Sequence, residues 1–443
     1  MVYTINENAL IPVFASRHKA FMSDLIHTMR LWSSRQRNRA VWSAFAGVSL
    51  LSVALTWKFH SVFQQSDANQ YLAMANHRKN LIMLPFASRQ LGILIVQAFA
   101  RLLHLSIAHS FFLEGALCFA VFLGTVLHLL VRSGAPRWML PAIAGMFFWP
   151  QQLEDLLLPD LLYAALICCF LLLLWRGHMM LAALMMLPLM IARESTLFTV
   201  VCFLIAGGRR LRLREAAASV LATVAGISIV HRLTLDAQPN QENISPIFYM
   251  AAKMPWNFLK NVLGLNPWAN VYRACEVPRW QIPLHLGPLH AIGLCAADFS
   301  YPLRAVAAAL ASFGLLPLLL FQLRRVRIEP ASPLGRNAIF LRFCVLYGVA
   351  SFLLTPLLGE SFLRLYFYSW PLFLVAIPLL MGAARASLAS TPAALLFLAM
   401  HLSLSWMMLQ NNLWLTVLVA LLVYTAGWLL IRHSWRPSPE SSS

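Results

Sequence analysis

Charged residues are scarce in this chain of 443 residues: 11% are Asp, Glu, Lys or Arg, whereas 60% are hydrophobic. A soluble domain carries roughly 25% charged residues, so the composition excludes a water-soluble globule. It also excludes a disordered chain, a nucleic-acid-binding module and a disulfide scaffold. At a mean hydropathy of +0.69, the sequence predicts an all-α polytopic membrane protein with about 12 transmembrane helices of about 20 residues each.

The sequence also lacks the short motifs of several enzyme and transporter classes. It contains neither a Walker-type phosphate loop nor the H-E-x-x-H pattern of zinc enzymes, and its 13 histidines are scattered. No internal repeat is apparent, although matching halves are typical of secondary transporters. ATP-driven pumping and a histidine metal site are therefore without local support.

Acidic residues are fewer than basic ones, 16 against 34, and the two types separate along the chain. Apolar runs predict spans at about 40–57, 108–131, 138–150, 157–175, 179–192, 195–207, 216–231, 304–323, 337–358, 367–384, 391–410 and 413–431. With both termini in the cytoplasm, 20 of the 34 basic residues lie on the inner side, as the positive-inside rule requires.

The short loops and the lack of a cleavable signal suit a bacterial inner membrane, with the endoplasmic reticulum as the open alternative. The predicted chain has three regions. A basic cytoplasmic segment occupies residues 1–39, a single transmembrane domain occupies 40–431, and a cytoplasmic tail occupies 432–443. The domain carries two long outer loops, at about 58–107 and 232–303. Ten acids fall on the outer side, and because acids contribute little to topology, we expect them to serve function.

The two outer loops differ in character. Between Leu91 and Leu105, apolar residues recur at helical spacing, which predicts a helix in the interface plane or a plain connecting helix. The 232–303 loop is rich in Pro, Trp and Asn, and a long loop without obvious elements is usually functional. Cys275 and Cys295 lie in it and would pair in an oxidising compartment; the sequence leaves that pairing open. The other five cysteines are expected to be small core residues.

Several outer acids are candidates for chemistry, each with a plainer alternative. Asp67, just past the first predicted span, is either a general base or a helix cap. Glu154, Asp155 and Asp160 fall within seven positions, where they bind a cation, shift one another's pKa, or are simply solvated. Pro159 places Asp160 at a helix start, near the positive end of the dipole.

Ionisable residues also occur at or inside the apolar runs. Arg193 and Glu194 stand between two short spans, as a functional pair or as an ordinary tight turn. Glu360 and Arg364 form a similar acid–arginine pair at the start of a later predicted span. Together with Arg89, these outward arginines suit a lipid-linked phosphate, because the guanidinium fork matches phosphate oxygens. Glu114 and Arg342 lie inside predicted spans, as a buried ion pair or a proton relay, which supports a transporter.

Taken together, these segments resemble the GT-C superfamily of membrane glycosyltransferases, which use polyprenyl-phosphate-linked sugars. The resemblance covers most of the chain and lies in the order and side of its motifs. These are Asp67 with Tyr71-Leu72-Ala73-Met74-Ala75, Pro85-Phe86 with Arg89, Pro159-Asp160, Arg193-Glu194, and Glu360 with Arg364-Leu365-Tyr366. The chain departs from the pattern at Ala68 and Asn69, where a second acid would follow Asp67.

The resemblance implies an inverting sugar transfer on the outer face, to an acceptor hydroxyl of a glycan, lipid or protein. Asp67 would be the catalytic base. Substrate binding would fall to Tyr71, Arg89, Glu154, Asp155, Asp160, Arg193, Glu194, Glu360, Arg364 and Tyr366. No cofactor is assigned, and participation of a divalent cation stays open, although Asp67 alone is a poor metal site. Membrane lipids are expected partners and nucleic acid is not. The alternatives are a polymerase or ligase of lipid-linked glycans, and a secondary transporter or flippase.

Overall fold

A computed structural model describes residues 66–77, 86–135, 158–235, 246–270, 272–273, 275–286, 289–313, 328, 330–359 and 362–382, with residues 414–415, 417–422, 425 and 429 near the C-terminus. The structure is mostly helical. Its helices are α1 (Ser66–Ala75), α2 (Gln90–Leu102), α3 (Ile107–Arg132), α4 (Asp160–Arg176), α5 (Met179–Leu184), α6 (Met186–Ala192), α7 (Thr196–Gly207), α8 (Leu213–Leu233), α9 (Pro246–Asn261), α10 (Ser300–Phe313), α11 (Pro333–Arg336), α12 (Ala338–Leu358), α13 (Phe362–Phe367) and α14 (Pro371–Gly382).

Within the described residues, three helices are long and apolar enough to cross a membrane. These are α3, α8 and α12, with hydropathies of 2.0, 1.5 and 1.9, and each coincides with a predicted span. The predicted spans at 157–175 and 195–207 form α4 and α7, of 17 and 12 residues. Both are shorter than the roughly 20 residues of a perpendicular crossing. Three candidate spans are compatible with a membrane protein, and the predicted spans 40–57, 138–150 and 391–410 lie outside the described residues.

The core forms where α3, α4, α12 and α14 pack together, and aromatic rings fill it. Phe122 of α3 meets Trp370 edge-on, with ring centroids 4.9 Å apart, and Phe170 of α4 meets Phe343 of α12 at the same separation. At Gly348 of α12, an added Cβ would lie 2.5 Å from Cβ of Leu372. Glycine therefore lets α12 and the start of α14 approach closely.

The expectation of an all-α chain is wrong in the second outer loop, which contains α9 and a four-stranded antiparallel sheet. The strands are β1 (Pro267–Ala269), β2 (Tyr272–Arg273), β3 (Trp280–Leu286) and β4 (Leu289–Leu294), in the order β2-β1-β4-β3. Its register pairs Trp280 with Leu294 and Ile282 with Ile292. The prolines that argue against regular structure sit where a ladder tolerates them: Pro267 begins β1, and Pro283 stands at a register shift in β3.

A disulfide joins Cys275 to Cys295 and ties the start of the β3–β4 hairpin to its end. The pairing that the sequence left open is therefore formed. The five remaining cysteines are free, four of them buried and Cys169 half-buried, as expected for core residues.

We expect unreduced protein, denatured in detergent, to react with a maleimide-polyethylene-glycol reagent at the five free cysteines, and reduced protein to react at all seven. The gel shift between the two samples measures the difference. The double variant Cys275→Ser/Cys295→Ser is the control and should show five modifications in both samples. Seven modifications without reductant would show that the disulfide does not form in the cell.

Candidate functional site

Four separate segments meet at one end of the helices. They are the start of α2, the start of α4, the turn between α6 and α7, and α13 with the turn that follows it. Each contributes one or two charged or phenolic side chains to the same place. We call five of these residues the polar cluster: Arg89, Asp160, Arg193, Glu194 and Arg364.

Arg89 and Glu194 form a two-pronged ion pair between the start of α2 and the α6–α7 turn. Nη2 of Arg89 lies 2.6 Å from Oε1 of Glu194, and Nε donates to Oε2 at 3.1 Å. The third nitrogen, Nη1, donates to the Tyr71 hydroxyl at 2.8 Å. This fork geometry is specific to arginine, and it joins α1, α2 and the α6–α7 turn through one guanidinium group.

The electrostatics of this pair keep both partners charged. Burial by itself would raise the pKa of Glu194, but the adjacent Arg89 outweighs it and lowers that pKa to about 2, from an ordinary value of 4.5. The pair therefore stabilises the fold fully above pH 4.5, and the stabilisation is lost as the pH falls toward about 2. Burial raises the pKa of Tyr71, against the influence of Arg89, so this phenol stays protonated at neutral pH.

Asp160, Arg193 and Tyr368 form a second, deeper group. Nη1 of Arg193 donates to Oδ1 of Asp160 and to the hydroxyl of Tyr368, and that hydroxyl donates to the same Asp160 oxygen. The carboxylate and the guanidinium are only 2% and 6% exposed. A buried charge is tolerated only with a charged partner and hydrogen bonds. Asp160 and Arg193 are each other's charged partner, and Tyr368 adds a hydrogen bond to each of them.

Arg364 lies near the remaining oxygen of Asp160. Its Nε is 3.9 Å from Oδ2, which has no hydrogen-bond partner among the described residues. The charges of Arg193, Arg364 and Arg89 all act on Asp160, so the two ion pairs belong to one electrostatic unit. As the sequence predicted, Asp160 begins its helix directly after Pro159.

A layer of buried hydroxyl groups supports the deeper group from the side of α7. The Tyr163 hydroxyl is 2.8 Å from Oγ1 of Thr199, and its ring meets the ring of Tyr368 at 5.8 Å. Thr196 donates to the main-chain carbonyl of Arg193 at 2.8 Å. These contacts restrict both the backbone and the aromatic neighbours of Arg193, and they hold its side chain in one orientation.

The chain leading to Arg364 is held by two amides of α9. Asn261 donates through Nδ2 to the carbonyls of Pro356 and Gly359, at 2.8 and 3.0 Å, and Asn257 donates to the carbonyl of Leu357 at 3.0 Å. Because the last carbonyls of a helix have no partner within it, these amides cap the end of α12 and fix where α13 begins.

Asp67 stands in the first turn of α1, since that helix begins at Ser66. It precedes Tyr71 by four residues, which places both positions on the same face of the helix. Tyr71 in turn contacts Arg89. The backbone therefore places the predicted catalytic acid about one helical turn from Tyr71, which contacts the polar cluster.

The predicted binding residues divide into three groups. The structure brings Tyr71, Arg89, Asp160, Arg193, Glu194 and Arg364 together, whereas Glu154, Asp155 and Glu360 lie outside the described residues. Tyr366 is 4% exposed, and its ring packs 4.9 Å from that of Phe352 in the core. Sequence reasoning missed Tyr368, whose only signal was its position four residues after Arg364.

The structure also bears on two other hypotheses from the sequence, a metal site and a transporter with Glu114 and Arg342 as a buried ion pair. In the part of the chain that is described, no group of three His, Cys, Asp or Glu side chains is placed to hold a metal ion. Glu114 of α3 is buried, 5% exposed, with Sγ of Cys118 3.5 Å from its Oε1. Arg342 of α12 is exposed, so these two residues do not form a buried ion pair.

Comparisons of the chain with protein families, with known proteins and with solved structures find no match.

Proposed function

We propose that this protein transfers a sugar from a polyprenyl-phosphate-linked donor to an acceptor hydroxyl on the outer face of the bacterial inner membrane. The observation that carries the proposal is the convergence of Arg89, Arg193 and Arg364 around Asp160 and Glu194 at one end of the helices. Such a fixed group of cations suits the departing lipid phosphate. Twelve spans with both termini in the cytoplasm belong to the same proposal.

The charge balance of the polar cluster favours an anionic ligand. Its three guanidinium groups outnumber its two carboxylates. The carboxylates also hold the arginines in fixed positions before substrate binds. Preorganised cations act more strongly in a water-poor site than in bulk water, and they need little reorganisation during the reaction.

Helix α2 offers a surface for the prenyl chain beside this cluster. It begins at the residue after Arg89, and it buries Ile93 and Val96 against the protein. Leu94 and Leu102 are 43% and 77% exposed. An apolar strip leading away from a cationic site is the shape that an isoprenoid phosphate requires, and it supports the hypothesis that α2 lies at the membrane interface.

The proposed reaction needs one base and one electrophile. Asp67 takes the proton of the acceptor hydroxyl, the hydroxyl oxygen bonds to the anomeric carbon, and the bond from that carbon to the phosphate oxygen breaks with inversion. The phosphate leaves with the electron pair, and Arg89, Arg193 and Arg364 offset its charge. Oδ2 of Asp160 is buried and has no hydrogen-bond partner among the described residues. Ala68 and Asn69 follow Asp67, so the proposal assigns this acid to proton transfer rather than to a divalent cation.

The test is mass spectrometry of envelope glycans and lipid-linked sugars from a deletion strain. Complementation with the wild-type chain should restore one sugar that the deletion removes, and complementation with Asp67→Asn should not. The matched control is Asp298→Asn, an outer acid that accepts a hydrogen bond from the backbone of Ser300, and it should restore the sugar. All variants must be present in the membrane fraction at equal amounts.

Two results would overturn the mechanism or the function. Full restoration by Asp67→Asn would show that Asp67 is not the base. Accumulation of unpolymerised lipid-linked repeat units in the deletion strain, with every sugar still present, would indicate a polymerase or ligase. That second candidate is favoured by the same arginines, which suit a prenyl diphosphate equally well.

A further inference from the structure

A second cationic site lies at the opposite end of the same helices. Helix α4 runs from Asp160 in the polar cluster to Arg176, a distance of about 25 Å at 1.5 Å per residue. The chain then turns through Gly177 into α5, while α7 ends at Gly207 and α8 begins at Leu213. Between these ends lies a cavity of about 390 Å³. We call it the arginine cavity.

The arginine cavity is lined by three guanidinium groups and one imidazole. The lining includes Arg210, Arg212 and Arg214, together with His178, Met180 and Leu181. Within the described residues, none of these three arginines forms an ion pair. The one acid of the lining, Glu215, is buried and accepts a hydrogen bond from the backbone N–H of Arg212. It stabilises the start of α8 and leaves the arginines available.

Two further features indicate a ligand with an acyl chain as well as a negative charge. Leu181 beside the cavity is 52% exposed, and Leu213 at the start of α8 is 86% exposed. An exposed apolar strip continues along α8 through Leu221 and Val224, which are 68% and 52% exposed. These positions recur at helical spacing. From Leu213 to Val224 the strip extends about 16 Å, close to the hydrocarbon depth of one leaflet.

We propose that the arginine cavity binds the headgroup of an anionic phospholipid from the cytoplasmic leaflet, with an acyl chain lying along the exposed strip of α8. The guanidinium groups hold the phosphate, and the N-terminal end of the α8 dipole adds to the attraction. A scattered positive charge is enough to set topology, whereas three arginines around one concave site with an apolar exit recognise a ligand. The choice of the cytoplasmic leaflet rests on the topology of the proposed function, whereas lipid binding itself does not depend on the transferase activity at the other end.

The experiment measures lipid binding to the purified full-length protein in a zwitterionic detergent, by native mass spectrometry. We expect dioleoyl phosphatidylglycerol to be retained and dioleoyl phosphatidylcholine to be released under the same conditions. The triple variant Arg210→Gln/Arg212→Gln/Arg214→Gln should bind phosphatidylglycerol roughly 10- to 100-fold more weakly. The matched triple Arg132→Gln/Arg336→Gln/Arg342→Gln removes the same charge from exposed arginines outside the cavity, and it should bind like the wild type.

A second variant keeps the test decisive if the triple variant is unstable. Arg214→Glu places an acid in the first turn of α8, where the helix dipole favours it, so folding is preserved while the attraction of the cavity for phosphate becomes weaker. Equal phosphatidylglycerol binding by Arg214→Glu and the wild type would overturn the proposal. Equal retention of phosphatidylcholine would also overturn it. Displacement of phosphatidylglycerol by glycerol phosphate at equal concentration would show a small-anion site and overturn the lipid assignment.

Discussion

Replacement of Arg193 by methionine is expected to lower the free energy of unfolding by about 3–5 kcal/mol, because it leaves Asp160 buried with only the longer 3.9 Å contact to Arg364 as a charged partner. Asp160 is 2% exposed, and its only other hydrogen bond among the described side chains comes from Tyr368. Thermal unfolding in detergent, followed by tryptophan fluorescence, measures the loss. Methionine keeps most of the volume of the side chain, so the effect reports the charge rather than a cavity.

Two further variants separate charge from packing at this position. The double variant Arg193→Met/Asp160→Asn removes both charges and should recover a large part of the lost stability, as is observed for buried ion pairs replaced as a unit. The matched control Arg232→Met lies on the exposed end of α8 and should unfold like the wild type. An Arg193→Met protein as stable as the wild type would mean that the buried pair does not exist.

Replacement of Arg89 by lysine is expected to reduce sugar transfer by about 100-fold or more, the cost of removing one preplaced donor from a charge-stabilising site. Lysine keeps the charge but loses the fork that contacts Glu194 twice and Tyr71 once. The measurement is the amount of sugar restored in the complemented deletion strain. Arg101→Lys, an exposed change on the same helix, is the matched control and should restore the sugar fully.

A charge reversal distinguishes a role in transfer from a purely structural one. Arg89→Glu/Glu194→Arg restores an ion pair between the start of α2 and the α6–α7 turn, and it should recover protein abundance in the membrane. It moves the guanidinium group to another segment, so sugar transfer should remain lost. Recovery of both abundance and transfer would assign Arg89 to folding alone and remove it from the proposed phosphate site.

Local features of this protein could be predicted from the residues themselves. The sequences of α3, α8 and α12 are long apolar runs. The existence and approximate bounds of these three helices therefore follow from composition. Pro159 cannot donate a backbone hydrogen bond, and it therefore marks the start of α4 at Asp160. The amphipathic spacing after Arg89 predicts α2 in the same local way. The sequence alone therefore placed Asp160 and Arg89 at the starts of helices.

Only the tertiary structure decided which of these residues meet. Arg193 pairs with Asp160 across 33 positions, Arg89 with Glu194 across 105, and Tyr368 joins Arg193 across 175. The periodicity of the sequence carries no information about pairs that are so far apart. The partner of a buried charged residue depends on how the helices pack and on the free-energy cost of leaving that charge unpaired. The sheet of the predicted second outer loop was missed for a related reason: β1 and β2 have only three and two residues, and prolines stand at the start of β1 and inside β3. Residue type therefore determined where charge and helix ends occur, and packing determined that the charges form one cluster.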